Sequence, residues 1–427
     1  MKHLLIRFFR SYSFLCAMLC AQVAILSIGT SELRNSKLLV DAGTDLINGK
    51  SPYTTPNPYG SWPGLIFFLI DKVALFGTTA ILIILLNLAG YVFLIKFLFV
   101  KIELKNLLII TIVSMFTSPI RALFSNVQNT GLILGSALLG VYFYRLSKSR
   151  FKFLFMVLSS FSFLFALELK PQVVLPFIVI FIVQVRAYKL IVFILIQLVL
   201  IRLIVNFWVG QVLEIQQFRI WKVMRSDDLA IREQISIWKI IDNFVNFQIN
   251  WLFVSFILTI FLNGLLMICA LKSESKNLLR LALVLPLLSG YMQYYSLLPL
   301  LAIVIFQVIN NNSYRQYGFM FGLIILVLPT HLGTHLRLVE FFLVLAVNVF
   351  ISIAIGWDFV TFVTNLLESI LAVLTVNFVS QMFMDVETYL SLTLCLVYLI
   401  QIPFLIKYFK LFTSSGKSFK TIENGLT

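Results

Sequence analysis

The stretch Leu190–Trp208, LIVFILIQLVLIRLIVNFW, decides the fold class. It carries one charge, Arg202, in a run close to the roughly 20 apolar residues that take an α-helix across a bilayer. Similar runs recur on both sides of it. Candidate spans lie near 13–29, 77–99, 107–118, 130–147, 154–169, 172–186, 190–208, 250–271, 281–293, 294–310, 316–330, 337–356, 359–380 and 389–409. Several are shorter than a full crossing, so the pattern predicts an all-α polytopic integral membrane protein with roughly 11 to 14 transmembrane helices. Composition agrees. The 427 residues are 60% hydrophobic and 12% charged, about half the charge of a soluble domain, and a chain of this length cannot hide that much apolar surface from water.

The remaining charge is lopsided, with 33 Lys+Arg against 18 Asp+Glu and a net of +15. In a membrane protein such an excess reads as the positive-inside bias, with no nucleic-acid partner implied. Lys101 and Lys105, Arg145 to Lys152, Arg186 and Lys189, Lys272 to Arg280, Arg315, and Lys407 to Lys420 fall on one side if the spans alternate. That side is assigned to the cytoplasm, with both termini there and the chain in the inner (cytoplasmic) membrane. Trp62, Trp208, Trp221, Trp238 and Trp251 fall at or near the other side, where an aromatic belt belongs. The chain then divides into an uncleaved N-terminal transmembrane helix (1–29), a first outer loop (30–76), a block of transmembrane helices (77–208), an amphipathic second outer loop (209–250), C-terminal transmembrane helices (251–411) and a cytoplasmic tail (412–427). Cys16, Cys20, Cys269 and Cys395 lie in apolar runs without paired spacing, which points away from a disulfide framework or a zinc site.

The first outer loop reads as a short helix and then a Pro-rich segment. Ser36 is placed to N-cap residues 37–48, Gly49 to end them, and Asp41 and Asp45 share one face at i and i+4. Ser51 to Gly64 follows with Pro52, Pro56, Pro58 and Pro63 and with Tyr53, Tyr59 and Trp62. Such a segment is stiff and offers ring faces to a sugar, or alternatively lies on the headgroups as a connector. Residues 64–76, with Asp71 and Lys72, fit an interfacial helix.

Ionisable residues at membrane depth are functional candidates. Glu168 and Lys170 end a span just before Pro171, Arg121 sits beside Pro119, Arg202 interrupts its span, and Arg337 follows His331 and His335. Snorkelling to the headgroups is the competing reading for the cations. The two histidines lack a third ligand, so no divalent metal or other cofactor is expected.

Ala42-Gly43-Thr44-Asp45-Leu46-Ile47-Asn48-Gly49-Lys50-Ser51-Pro52-Tyr53 resembles the A-G-x-x-L-x-x-G-x-x-P-Y stretch of the polyprenyl-phosphate-mannose-dependent α-1,2-mannosyltransferases of the GT-C superfamily. Val127-Gln128-Asn129-Thr130 is similar to that family's Gly-Gln-x-Asn segment, and Lys148-Ser149-Arg150 to its basic turn. Leu169-Lys170-Pro171 resembles its (I/L)-K-P signature, and Gln293-Tyr294-Tyr295-Ser296-Leu297-Leu298-Pro299 its H-Y-x-x-L-L-P stretch. Departures are specific: Asn35 stands where the family has an acid, Val127 replaces a Gly, Gln293 replaces a His, and Trp62-Pro63-Gly64 stands for Tyr-Pro-Pro.

The resemblance implies a GT-C-like bundle with interfacial helices in the outer loops. It implies a glycosyltransferase that inverts a hexose, mannose in the family, from a polyprenyl-phosphate donor onto a lipid or glycan acceptor at the outer membrane face. One carboxylate must serve as general base, with cations holding the departing phosphate. Glu32 or Asp41 is the candidate base, and Lys170, Arg121 and Arg337 the candidate phosphate ligands. Asp45, Tyr53, Tyr59, Trp62, Gln128, Gln293 and Tyr294 are the candidate sugar or lipid contacts. A lipid-linked-sugar transporter would instead show matched helix breaks in two halves, and only the scattered Pro176, Pro286 and Pro299 are present. A glycan polymerase or ligase would use the basic residues of 209–250, and loss of the base would leave a non-enzymatic relative.

Overall fold

The structure is a computed structural model that describes residues 11–28, 34–53, 61–74, 78–99, 101–117, 120, 123, 129–147, 151–226, 261, 264–265, 267–271, 276–284, 298–310, 345–353 and 359–382. Every regular element among them is helical. They are α1 (Tyr12–Ile28), α2 (Arg34–Ile47), α3 (Pro63–Val73), α4 (Thr79–Leu98), α5 (Leu104–Met115), α6 (Thr130–Leu146), α7 (Lys152–Leu169), α8 (Pro171–Gln184), α9 (Tyr188–Val209), α10 (Leu213–Ser226), α11 (Lys276–Val284), α12 (Leu298–Asn310) and α13 (Phe359–Met382). Three of these, α4, α7 and α9, are long and apolar enough to cross a membrane, and five shorter apolar helices accompany them among the described residues. Half of the apolar window is buried inside the protein in α4 and α7, but only 17% in α9. The bare face of α9, with Ile191, Leu195, Val199, Leu203 and Phe207, has the chemistry of a lipid contact.

The helix ends follow from a few residues. Gly49 adopts φ +68° and closes α2 in a Schellman turn, with Lys50 N–H donating to Asp45 O (2.8 Å) and Gly49 N–H to Leu46 O (3.0 Å). Gly210 ends α9 in the same way. Pro63 and Pro171 occupy the first helical positions of α3 and α8, where a missing N–H costs nothing. Pro171 also bars its predecessor from helical geometry, and Lys170 is accordingly extended at φ −149°, ψ 77°. The break between α7 and α8 therefore sits at Lys170. Ser36 is not the N-cap expected of it, because α2 already begins by Arg34.

Close backbone approach sets the packing. A Cβ on Gly43 or Gly64 would strike the other's backbone, which locks α2 onto α3. Gly90, Gly131 and Gly135 bring α4 and α6 together in the same manner. At that crossing Asn87 of α4 donates from Nδ2 to Ile83 O (2.9 Å) and accepts the Leu132 N–H at Oδ1 (3.0 Å), so α4 caps the first turn of α6. Gly140 receives the Phe163 ring and accepts from Ser159 Oγ (2.7 Å), fixing α6 on α7. The result gathers α2, α3, α10, the start of α6 and the α7–α8 break at one end of the bundle.

Candidate functional site

Lys170 lies at the α7–α8 break, outside both helices, and is 8% exposed. Its ammonium donates to Thr130 Oγ1 at 3.2 Å. Burial pushes its pKa down to about 7, because a charged amine loses its hydration there. The neighbouring Asn129 is 2% exposed and accepts from Ser36 Oγ at 3.1 Å through Oδ1. Its Nδ2 is buried with no hydrogen-bond partner among the described residues, an arrangement that ordinarily costs about 1–3 kcal/mol. Three separate stretches meet here: the start of α2, the start of α6 and the residue between α7 and α8. The side chains that join them are the hydroxyls of Ser36 and Thr130, the Asn129 amide and the Lys170 ammonium.

A second polar cluster adjoins it on the far side of α7. Glu168, its side chain 6% exposed, pairs with Arg202 of α9 at 2.7 Å (Oε1 to Nη2). Arg202 Nη1 also reaches Glu214 of α10 at 3.3 Å and Gln217 at 3.4 Å. Asn206 donates to Glu214 Oε2 (2.8 Å) and accepts the Leu213 N–H (3.2 Å), so α10 is folded back on the end of α9. Burial opposes the charge of Glu214, but the Asn206 amide, its own helix's N–H and the Arg202 guanidinium outweigh it and hold its pKa below the ordinary carboxylate value. The first loop is tied to the same place. Ser51 bonds Gln216, and Trp208 Nε1 donates to Leu46 O at 2.8 Å. Tyr53 is buried beside this cluster, and burial first, then Glu168 and Glu214, raise its phenol pKa against the pull of Arg202 and a Ser61 hydrogen bond.

Of the residues singled out in the sequence, Lys170 is buried at the α7–α8 break rather than extended toward the headgroups. Tyr53 and Trp62 lie over α7, but their surfaces are occupied by protein: Trp62 is 4% exposed, with ring centroids 5.2 Å from Phe161 and 5.9 Å from Phe165. Asp41 is exposed and Asp45 half-buried. On a helix Asp41 points about 140° away from Ser36, so the fold does not bring it to Lys170. Glu32, Arg121, Arg337, Tyr59, Gln128, Gln293, Tyr294, His331 and His335 lie outside the described residues. Among those that are described, no three His, Cys, Asp or Glu side chains gather as a metal site. Sequence reasoning passed over Asn129 and Ser36 as polar partners and read Arg202 chiefly as a snorkelling cation. The available signal for Arg202 was Gly210, which turns Glu214 back toward it.

The chain matches no family model, no curated protein and no solved structure.

Proposed function

We propose that the chain is a polytopic GT-C-like membrane glycosyltransferase of roughly 11 to 14 transmembrane helices. It would transfer a hexose, mannose by the family resemblance, from a polyprenyl-phosphate donor to a lipid or glycan acceptor at the outer face of the cytoplasmic membrane. One observation carries this reading: two stretches that bear the resemblance, Asn129-Thr130 and Leu169-Lys170-Pro171, meet through the Thr130–Lys170 hydrogen bond of 3.2 Å, and Ser36, six residues before Ala42, bonds Asn129 at 3.1 Å. In this reading the Lys170 ammonium holds the leaving phosphate as a point charge, in a site dry enough to strengthen the attraction. Arg121 and Arg337 assist it. In this reading Glu32, four residues before Ser36 in the sequence, is the general base in preference to Asp41, which is exposed. Tyr59, Gln128, Gln293 and Tyr294 contact sugar or lipid, whereas Tyr53 and Trp62 anchor the first loop on α7.

A non-enzymatic relative is the second reading, favoured by Asn35 at the family's acidic position and by the outward-facing Asp41. Membranes containing the full chain, supplied with polyprenyl-phosphate mannose labelled in the sugar, separate the two. Transfer of label to lipid or glycan, lost by a factor of about 10²–10⁴ in Glu32→Gln, is the expected result. Label transfer that persists unchanged in both Glu32→Gln and Lys170→Met would overturn the assignment, and no transfer by the unmodified chain would favour the non-enzymatic relative.

A further inference from the structure

Asn129 occupies the N-cap position of α6, where an Asn side chain ordinarily turns onto an N–H of the first helical turn. Here it makes no such bond. Asn87, reaching across from α4, already accepts the Leu132 N–H at 3.0 Å. Relieved of capping, the Asn129 carboxamide is held by Ser36 through Oδ1, and its buried Nδ2 has no hydrogen-bond partner among the described residues. Thr130, the next residue, contacts the Lys170 ammonium at 3.2 Å. The amino end of α6 adds the positive end of the helix dipole. An amide donor on Asn129, a cation held by the hydroxyl of the next residue, and the helix amino terminus those two residues begin share one complementary ligand chemistry, an anion with several acceptor oxygens.

We infer that Asn129 Nδ2, the Lys170 ammonium and the amino end of α6 together form a subsite for one phosphoryl group. The inference rests on the proposed role of Lys170 as the phosphate-facing cation, and it gives Asn129 a ligand-binding role that capping does not require. It needs no sugar transfer to be tested.

Two sources could supply the phosphoryl group, a prenyl lipid or free phosphate. The full chain in lipid nanodiscs is titrated with labelled farnesyl phosphate, with farnesol and inorganic phosphate as competitors. Saturable binding that farnesol does not displace is expected. Asn129→Asp keeps the acceptor for Ser36 but sets an oxygen against the ligand, and it should weaken binding about tenfold or more. Asn129→Leu serves as the uncharged second variant, each being checked first for a cooperative unfolding transition. Competition by inorganic phosphate at equal concentration would assign free phosphate as the ligand, and its failure would assign the lipid; both retain the subsite. Displacement by farnesol, or unchanged affinity in both folded variants, overturns it. Asn129-dependent binding in a chain that transfers no sugar would sink the glycosyltransferase reading alone.

Discussion

Arg202 Nη2 of α9 stands 2.7 Å from Glu168 Oε1 of α7, and the same guanidinium reaches Glu214 of α10 at 3.3 Å. One cation thus joins two membrane-length helices to the amphipathic helix that covers their end. Glu168 is the more buried partner, its side chain 6% exposed.

Replacing Arg202 by Met should therefore destabilise the protein more than replacing Glu168 by Gln. A fully buried pair that loses one member costs about 3–5 kcal/mol. Arg202 is 22% exposed, which scales the expectation to roughly 1–3 kcal/mol. Thermal unfolding of both single variants and the double variant checks this. The double variant should recover part of the Arg202→Met loss, and strict additivity would show that the pair is uncoupled.

Lys170 sets a pH dependence. Its pKa is about 7 in the folded protein against an ordinary 10.5, because burial disfavours the charged form. Between these values the unfolded chain holds a proton that the folded chain does not, so stability rises with pH across that window and the penalty is full below about pH 7. Lys170→Met should be flatter over the same range and relatively most stabilised at and below neutrality. Parallel unfolding-temperature curves for the two proteins would contradict the assignment. A bound anion favours the charged amine, so affinity for a phosphoryl ligand should fall as pH rises above about 7.

Gly131 bears on the site through packing. A Cβ there would meet the Asn87 backbone, and overpacking of this kind costs about 1–3 kcal/mol. Gly131→Val should lower the unfolding temperature and, by shifting the start of α6, weaken whatever Lys170 and Asn129 bind. Gly210→Ala tests a different matter: nothing lies near its Cβ, so only the left-handed backbone is strained. It should cost about 1 kcal/mol and leave ligand affinity unchanged.

The tie between the first loop and α9 can be read by hydrogen exchange. Trp208→Phe removes the 2.8 Å bond to Leu46 O, worth about 0.5–1.5 kcal/mol. Amide exchange should quicken at Gly49 and Lys50, whose N–H groups close α2, while α4 stays protected. Equal protection in both proteins would show that the Schellman turn holds without the tryptophan.

Much of the local structure was legible before any coordinates. The run at 190–208 became α9, the helix read within 64–76 became α3, and Gly49 closed its helix as its position implied. Each depends on a rule that acts within a few residues: apolar length, a proline's missing N–H, a glycine's left-handed backbone. Ser36 fails the same test instructively, since its hydroxyl was read as a cap and is instead bonded to Asn129, 93 positions away.

By itself, then, the sequence determined a helical, apolar chain with a break forced at Lys170 by Pro171, because those properties arise from each segment's own composition and backbone. Tertiary structure alone decided that Arg202 serves Glu168, that Asn87 relieves Asn129 of its capping role, that Trp62 is covered by Phe161 and Phe165, and that Asp41 looks outward. Those outcomes depend on which helix faces meet, and glycine crossings such as Gly90 on Gly131 set that by bringing backbones together across long stretches of chain.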